Sequence, residues 1–450
     1  MKNIIHESIC AEGMSKNMKN KIHESICAEG MSKNMADCLI RDPSLAQAGI
    51  KKIEWVKEYM PVLRQIEEQF KKDKPFAGMR ISVSVHLEAK TAYLGQVLAS
   101  GGADIAITGS NTLSTKDDIC AGLASMGYKV YAWHGATDEE YIQHLKKTLE
   151  FKPHIIIDDG GDFVGLLHGE CAAYGENLLG GCEETTTGIM RLKAREREGS
   201  LKFPMMAVND ADSKHLFDNV HGTGQSVWDS IMYTTNVMLT GRDVVVAGYG
   251  FCGKGVAMRA KGLGARVIVT EINPWRAMEA VMDGFRVMKM DDAARIGEFF
   301  VTVTGNKDVI TARHYEVMRH NAFLANAGHF DVEFNKNDLR QLSTKIEERR
   351  PYIDGYHLKD GRILNVLADG KLVNIVAGNG HPADIMDMSF ALQAMGALHI
   401  AKSGKDLKPA LYSIPIEVDR QIALMKSKAM NLGIDVLTPE QEKYWLGTGE

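Results

Sequence analysis

VVVAGYGFCGKG, residues 244–255, decides the fold of this 450-residue chain. Val244, Val245 and Val246 are apolar and β-branched, the composition of a strand covered on both faces in a parallel sheet. Gly248, Gly250 and Gly253 follow at G-x-G-x-x-G spacing. The pattern predicts a helix over 256–262 and a second strand over 266–270, which runs into Glu271. A dinucleotide fold asks for these parts in this order: a tight turn, bare backbone against a pyrophosphate, a helix N-terminus for its charge and a carboxylate for the ribose hydroxyls. Glycine is common, so the spacing alone also fits a packing turn in an ordinary α/β sheet. Strand, glycines, helix, strand and acid together point to dinucleotide binding. A carboxylate at 271 repels a 2′-phosphate, so NAD is expected over NADP.

The pattern upstream of the loop alternates. Apolar residues near a 3.6 period predict helix over 46–72. Strands are expected at 80–85, 104–108, 128–133 and 155–157, with helices at 90–98, 116–125 and 139–149 between them. Such alternation builds a parallel sheet. Downstream, strands are expected at 299–304, 322–325 and 372–375. A solvent-facing helix and loop are expected over 333–351, and an amphipathic helix near 414–430. The expected fold class is α/β, with two doubly wound, Rossmann-like parallel-sheet domains and a small C-terminal helical tail.

Residues 1–17 recur at 18–34 with one change, Ile4 to Lys21. A copy of this kind reads as an artefact of the gene start, a disordered extension over 1–35, with Met35 as the natural start. It has no cationic stretch leading into an apolar core, so it is not a signal peptide. His6, His23, Cys10 and Cys27 within it read as parts of a solvated tail, not as metal ligands.

Hydrophobic residues make up 45% of the chain and charged residues 25%, as in ordinary soluble proteins. The net charge of −5 offers no basic footprint for nucleic acid or an anionic membrane. No apolar run approaches the ~20 residues of a membrane span. The seven cysteines are scattered without a C-x-x-C pair, which suits reduced thiols in a cytoplasmic protein. No histidine and cysteine spacing resembles a metal-ligand set, so no metal is expected.

Residues able to handle protons gather where strands end: His86, Asp159, Glu184, Lys214, Asp218, His329 and His381. Singly, each has an ordinary explanation, a turn histidine or a surface lysine. Their clustering beside a dinucleotide loop favours chemistry. EETTTG (183–188) is too polar for a buried strand core. It is either a helix-capping turn or a loop that contacts ribose and nicotinamide.

DDGGD (158–162), EETTTG, VND (208–210), FDN (217–219), the glycine loop, GARVIVTE (264–271), NAGHFDVE (326–333), LVN (372–374) and GHP (380–382) occur in one order. In that order the chain resembles the S-adenosylhomocysteine hydrolase family over 46–445. HLEAKTAYL (86–94) and the short ending resemble its archaeal and thermophilic branch. The resemblance implies NAD that is tightly bound and recycled, and a small-molecule substrate, an S-nucleosyl-L-homocysteine thioether cleaved reversibly by water. It implies oxidation at the ribose 3′-hydroxyl, loss of the C4′ proton, departure of the thiolate from C5′, addition of water and re-reduction. A homotetramer is also implied. By the same resemblance the domains are 36–222 with 381–410 for substrate and 223–380 for NAD, followed by a tail over 411–450 that makes oligomer contacts.

Site residues carry over position by position. Lys214 and Asp218 match the pair at the 3′-hydroxyl, and Lys214 would need a lowered pKa, which desolvation near NAD⁺ could provide. Asp159 matches the residue for C4′ proton transfer. His86 and His329 match those near the leaving sulfur and the water. Glu184 and Thr185 match ribose contacts, Asn209 supports the pair, and His381 matches a substrate-holding loop. Thr186, Thr187, Asn219, Gly248, Gly250, Gly253, Glu271, Asn326 and Asn374 match cofactor contacts.

Three features depart from the family pattern. The adenine-reading Thr and Gln or Glu are Glu88 and Lys90 here. Hypoxanthine offers an acceptor at O6 and a donor at N1, the reverse of adenine, so a lysine donor and a glutamate acceptor suit S-inosyl-L-homocysteine, with S-adenosyl-L-homocysteine the close second. The alternative is that Glu88 and Lys90 pair with each other. Thr223 replaces a cysteine near the cofactor, which removes any thiol role there. The tail whose lysine and tyrosine reach a neighbour's NAD is not matched, and Lys443 and Tyr444 are weak substitutes. The competing enzyme class is a net NAD-dependent dehydrogenase of a hydroxy acid or sugar, which would accumulate reduced cofactor.

Overall fold

The structure, a computed structural model, describes residues 37–447. The repeat at 1–34, with His6, His23, Cys10 and Cys27, lies outside the described residues. Among those described, no helix is long and apolar enough to cross a membrane.

Two sheets carry the fold. The first contains β1 (Arg80–Ser84), β2 (Asp104–Thr108), β3 (Lys129–Val130), β4 (Ile155–Asp158), β5 (Gly180–Glu183) and β6 (Met205–Ala207). The second contains β7 (Asp243–Ala247), β8 (Arg266–Thr270), β9 (Arg286–Val287), β10 (Phe299–Thr302), β11 (Phe323–Asn326), β12 (Ser343–Arg350), β13 (Ile353–Leu358) and β14 (Ile363–Leu367). β15 (Leu411–Ser413) returns to the first sheet and pairs with β6. The first sheet runs β15-β6-β5-β4-β1-β2-β3 with every pair parallel. The second runs β12-β13-β14-β11-β10-β7-β8-β9. Strand order reverses between β4 and β1 in one and between β10 and β7 in the other. Both reversals open a crevice at strand carboxyl ends, where α/β sheets bind ligands.

The valine run behaves as its composition dictates: Val244, Val245 and Val246 are wholly buried, sandwiched between β8 and β10. The helix that follows covers Phe251–Gly262, with Gly250 as its N-cap, and so starts five residues earlier than the pattern suggests. The periodic stretch at 46–72 forms two helices, Ala46–Glu58 and Pro61–Asp73, because Pro61 suits a first turn and ends what precedes it. Asp387 caps the second of these. Its carboxylate accepts the Val62 and Leu63 amides at 3.1 and 2.8 Å and pairs with Lys426 at 3.0 Å. The helices Ala383–Ser403 and Ile416–Ala429 are thereby tied to the start of the helix Pro61–Asp73.

Two expected elements differ. Residues 372–375 form no strand; Leu372 makes an isolated bridge to Asn326, and Val373–Val376 is a short helix. Residues 333–351 are not only helix and loop. Lys336–Leu342 is helical, but β12 follows and pairs antiparallel with β13. β12 reads STKIEERR and is polar on both faces, so alternation could not reveal it. Charge along an exposed edge strand discourages pairing with another chain.

Candidate active site

The two crevices face one another across a cavity of about 960 Å³. Every residue expected at the site lines it except Gly253 and Asn326.

On the first sheet, Asp159 follows β4 and His86 follows β1 by two residues. Asp159 Oδ2 accepts the Ser110 hydroxyl at 2.7 Å and lies 3.6 Å from His86 Nε2. Its Oδ1 lies 4.0 Å from His329 Nδ1 and has no hydrogen-bond partner. Burial pushes the Asp159 carboxyl up, but His86, His329, the Ser110 hydroxyl and Lys214 outweigh it and hold it below the usual range. Burial lowers the His86 pKa below its ordinary value, and Nδ1 lies 2.7 Å from Ser114 Oγ. An ionised carboxylate between two imidazoles is a base with proton carriers on either side.

Lys214 ends a three-residue helix, Asp212–Lys214, that continues into a π-helical stretch, His215–Gly222. π-turns gather at functional sites because they re-aim side chains. Here Lys214 Nζ lies 3.0 Å from Asp218 Oδ2 and 3.5 Å from Glu184 Oε1, and donates to Asn219 Oδ1 at 2.8 Å. Asn219 donates to Asn209, which donates to Thr186 Oγ1, both at 3.2 Å. The expected lowering of the Lys214 pKa is reversed. Burial pulls it down, yet the Asp218 and Glu184 carboxylates raise it well above its ordinary value. Burial favours the neutral Asp218 carboxyl, but Lys214, His381 and Ser389 hold it far below the usual range. His381 Nδ1 bonds Asp218 Oδ1, and the Ser389 hydroxyl donates to Oδ2 at 2.7 Å. Burial pushes Glu184 up to about 7 despite Lys214.

EETTTG forms a helix-capping turn and lines the cavity. Glu183 ends β5 fully buried, against the expectation that these acids stay out of strands. It is accommodated because Oε1 accepts the Gly160 and Thr185 amides at 2.9 and 3.0 Å. Thr185 caps the helix Thr186–Arg197, and Thr186 and Thr187 present its first turn to the cavity.

On the second sheet, Gly248 has φ +99°, and a Cβ at Gly253 would meet the Gly248 carbonyl oxygen at 2.0 Å. Gly253 therefore serves packing of helix on strand. A Cβ at Gly250 would meet only open space, the cavity itself. Glu271 is aimed by three backbone amides: Tyr249 and Ile272 at 2.7 Å and Asn273 at 3.0 Å. Asn374 presents a buried side-chain oxygen with no partner to the cavity. Bare glycine backbone at a helix N-terminus, a fixed carboxylate and an unpaired acceptor fit the pyrophosphate, ribose and carboxamide of NAD. Asn326 does not reach the cavity. Its side chain bonds the Gly328 amide and the Gly328 and Phe330 carbonyls, so it shapes the loop that carries His329.

Glu88 and Lys90 both line the cavity and also pair, Nζ to Oε2 at 2.7 Å, while Lys90 donates to the Asn379 carbonyl at 3.2 Å. Thr223 does not leave the site without a thiol: Cys252, from the glycine loop, lies 3.5 Å from its hydroxyl. Burial raises the Cys252 pKa, so it remains protonated.

Sequence reasoning missed residues that hold the site from behind and others that line it. Gln393 donates to Glu184 Oε2 at 2.6 Å, and Ser389 reaches Asp218, both from the helix Ala383–Ser403. Polar residues in that otherwise apolar helix were the readable signal. Arg276 and Phe251 lie on the cofactor side, the guanidinium 5.5 Å from the ring centre.

A family model described as S-adenosyl-L-homocysteine hydrolase matches residues 37–175, and one described as S-adenosyl-L-homocysteine hydrolase, NAD binding domain, matches residues 219–380. The chain is 56% identical over 405 residues to the S-inosyl-L-homocysteine hydrolase of Methanocaldococcus jannaschii, covering 90% of this chain and 97% of that protein. It is 52% identical over 409 residues to the adenosylhomocysteinase of Pyrococcus abyssi, covering 91% and 97%. It is 53% identical over 405 residues to the S-inosyl-L-homocysteine hydrolase of Methanococcus maripaludis, covering 90% and 97%.

Proposed function

This chain belongs to the S-adenosyl-L-homocysteine hydrolase family, and from that premise we propose that it prefers S-inosyl-L-homocysteine, which it cleaves reversibly to inosine and L-homocysteine. The enzyme class, an NAD-using hydrolase of an S-nucleosyl-L-homocysteine thioether, follows from the family. The preferred base, the residue roles and the domain limits at 222–223 and 380–381 are the proposal. So is a homotetramer.

The observation that carries the base preference is Glu88 and Lys90 side by side on the cavity wall. Their mutual ion pair does not exhaust either group. An ammonium has three protons, and Glu88 and the Asn379 carbonyl take two, leaving one for O6 of hypoxanthine. The Glu88 carboxylate keeps lone pairs for the N1–H. Adenine presents an acceptor to that carboxylate and a donor to the lysine, and each mismatch in a dry pocket costs roughly 1–3 kcal/mol.

NAD, when bound, would supply reversible hydride chemistry at the ribose C3′, so that none is consumed. Gly248, Gly250, Glu271, Thr186, Thr187, Asn219 and Asn374 would hold it. Glu184 and Thr185 bind the ribose hydroxyls. Lys214, an ammonium between two carboxylates, orients the 3′-oxygen, and takes its proton only where added positive charge beside it lowers its pKa. Asp159, ionised, takes the C4′ proton once the neighbouring carbonyl has acidified it. The C5′–S bond then breaks, and His86 or His329 supplies the proton to sulfur. Water adds its oxygen to C5′ and gives its second proton to the histidine that protonated sulfur, and Asp159 returns to C4′ the proton it took. Measuring kcat/KM for S-inosyl- and S-adenosyl-L-homocysteine by release of free thiol tests the proposal. A ratio well above one for the inosyl thioether is expected; an equal or lower ratio overturns the preference.

A further inference from the structure

Arg191 lies outside the cavity and no step above uses it. It stands on the helix Thr186–Arg197, which belongs to the first sheet's layer. Its Nη1 donates to the Gly160 carbonyl at 2.7 Å and to Asp162 Oδ1 at 3.0 Å. Gly160 belongs to the loop that follows Asp159, and Asp162 opens the helix Asp162–His168 at the end of that loop. The same guanidinium lies 4.8 Å from the centre of the Phe330 ring, on the second sheet's side of the crevice. Phe330 meets the adjacent His329 ring edge-on, at 4.6 Å and 90°. His329 in turn presses on the same loop: a Cβ at Gly160 would fall 2.5 Å from its Nε2.

One side chain thus grips both walls. A planar guanidinium can donate in its plane while an aromatic ring covers its face, which an ammonium cannot do as well. We propose that Arg191 is a positioning residue that clasps Phe330 to the Asp159 loop and so holds His329 opposite Asp159 for the proton transfers at C5′. The assignment rests on the reading of His329 given above. It predicts a selective defect, because Lys214, Asp218 and Glu184 lie on other elements and need no help from the clasp for oxidation at C3′.

The test uses the NAD-loaded enzyme and two substitutions, Arg191→Ala and Phe330→Leu, singly and together. Adding nucleoside alone reports the oxidation half through the absorbance of reduced nicotinamide; adding thioether reports thiol release. Each single variant is expected to oxidise nucleoside within about twofold of the parent and to release thiol roughly fivefold to tenfold more slowly, with little change in KM. The double variant is expected to be no slower than either alone, since both break one clasp. Thiol release within twofold of the parent for Arg191→Ala, or equal loss of both half-reactions, overturns the proposal. Amide hydrogen exchange over 328–331 gives a readout independent of turnover: it should quicken in Arg191→Ala, and unchanged exchange there also overturns the clasp. A parent enzyme that releases no thiol from either thioether would instead sink the functional reading, with the exchange result still deciding the clasp.

Discussion

Lys214 Nζ and Asp218 Oδ2 lie 3.0 Å apart with side chains only 7% and 2% exposed, so an ion pair stands nearly dry at the head of the cavity. Taking two charges out of water is costly, and removing one partner of such a pair often costs about 3–5 kcal/mol. Here Asp218 keeps His381 and Ser389 as partners when Lys214 is lost, which softens that penalty. Lys214→Ala is therefore expected to fold and to retain NAD but to form no reduced nicotinamide on mixing with substrate. Absorbance of the mixed enzyme checks this, and formation of reduced cofactor at the parent rate would disprove the role given to Lys214.

Glu184 should impose a pH limb on substrate capture. Burial raises its folded pKa to about 7, so the carboxyl is protonated below that value and ionised above it. An ionised carboxylate binds hydroxyl donors roughly twice as strongly as a neutral acceptor. The logarithm of kcat/KM is expected to rise as pH passes through about 7, and Glu184→Gln should flatten that limb while lowering the plateau. Persistence of the limb in Glu184→Gln would assign it to another group. Asp158 is also pushed up to about 7 by burial, but it points away from the cavity and bonds the Val164 and Asp159 amides.

Legibility followed the physics of each signal. β7, the glycine turn and β8 could be read because wholly buried parallel strands are runs of apolar residues and the turn needs glycine. β12 could not, because an exposed edge strand has no apolar face to alternate. His86, Asp159, Glu184 and His329 follow strands and could be placed together, since chain topology gathers strand ends, whereas Lys214, Asp218 and His381, expected there too, lie on or beside helices. Their protonation could not be read. The raised pKa of Lys214 depends on Glu184, thirty positions away, lying 3.5 Å from its nitrogen, a distance no local pattern encodes. Cys252 beside Thr223 belongs to the same class of fact.

Glu271 should govern both affinity and choice of dinucleotide. Three amides hold its carboxylate at the end of β8, so it meets a ligand already oriented. Glu271→Gln keeps the shape and removes the charge. NAD is expected to bind about tenfold more weakly, and discrimination against NADP to shrink, since repulsion of a 2′-phosphate is gone. Titration calorimetry with both dinucleotides measures each effect. Unchanged constants for both would mean that the carboxylate serves only the turn it caps.

The base preference should be exchangeable by two substitutions, Glu88→Thr and Lys90→Gln. Glu88 also caps the helix Ala89–Ser100, accepting the Lys90 amide at 3.1 Å. Threonine is itself a good N-cap, so the exchange can preserve the helix start. Replacing both residues together also avoids stranding one buried charge, which either single change would do. The double variant offers a hydroxyl and an amide, each able to donate and accept, in place of a fixed donor and a fixed acceptor. It should accept adenine without unpaired polar groups and lose its advantage for hypoxanthine. Each mismatch is worth roughly 1–3 kcal/mol, about fivefold to more than a hundredfold, so the ratio of kcat/KM between the two thioethers should move by at least tenfold toward the adenosyl substrate. The two single variants should both be poorer than the double one on S-adenosyl-L-homocysteine, because the pair acts as a unit. A ratio that stays put in the double variant would show that Glu88 and Lys90 only neutralise each other, and that the base is read elsewhere on the cavity wall.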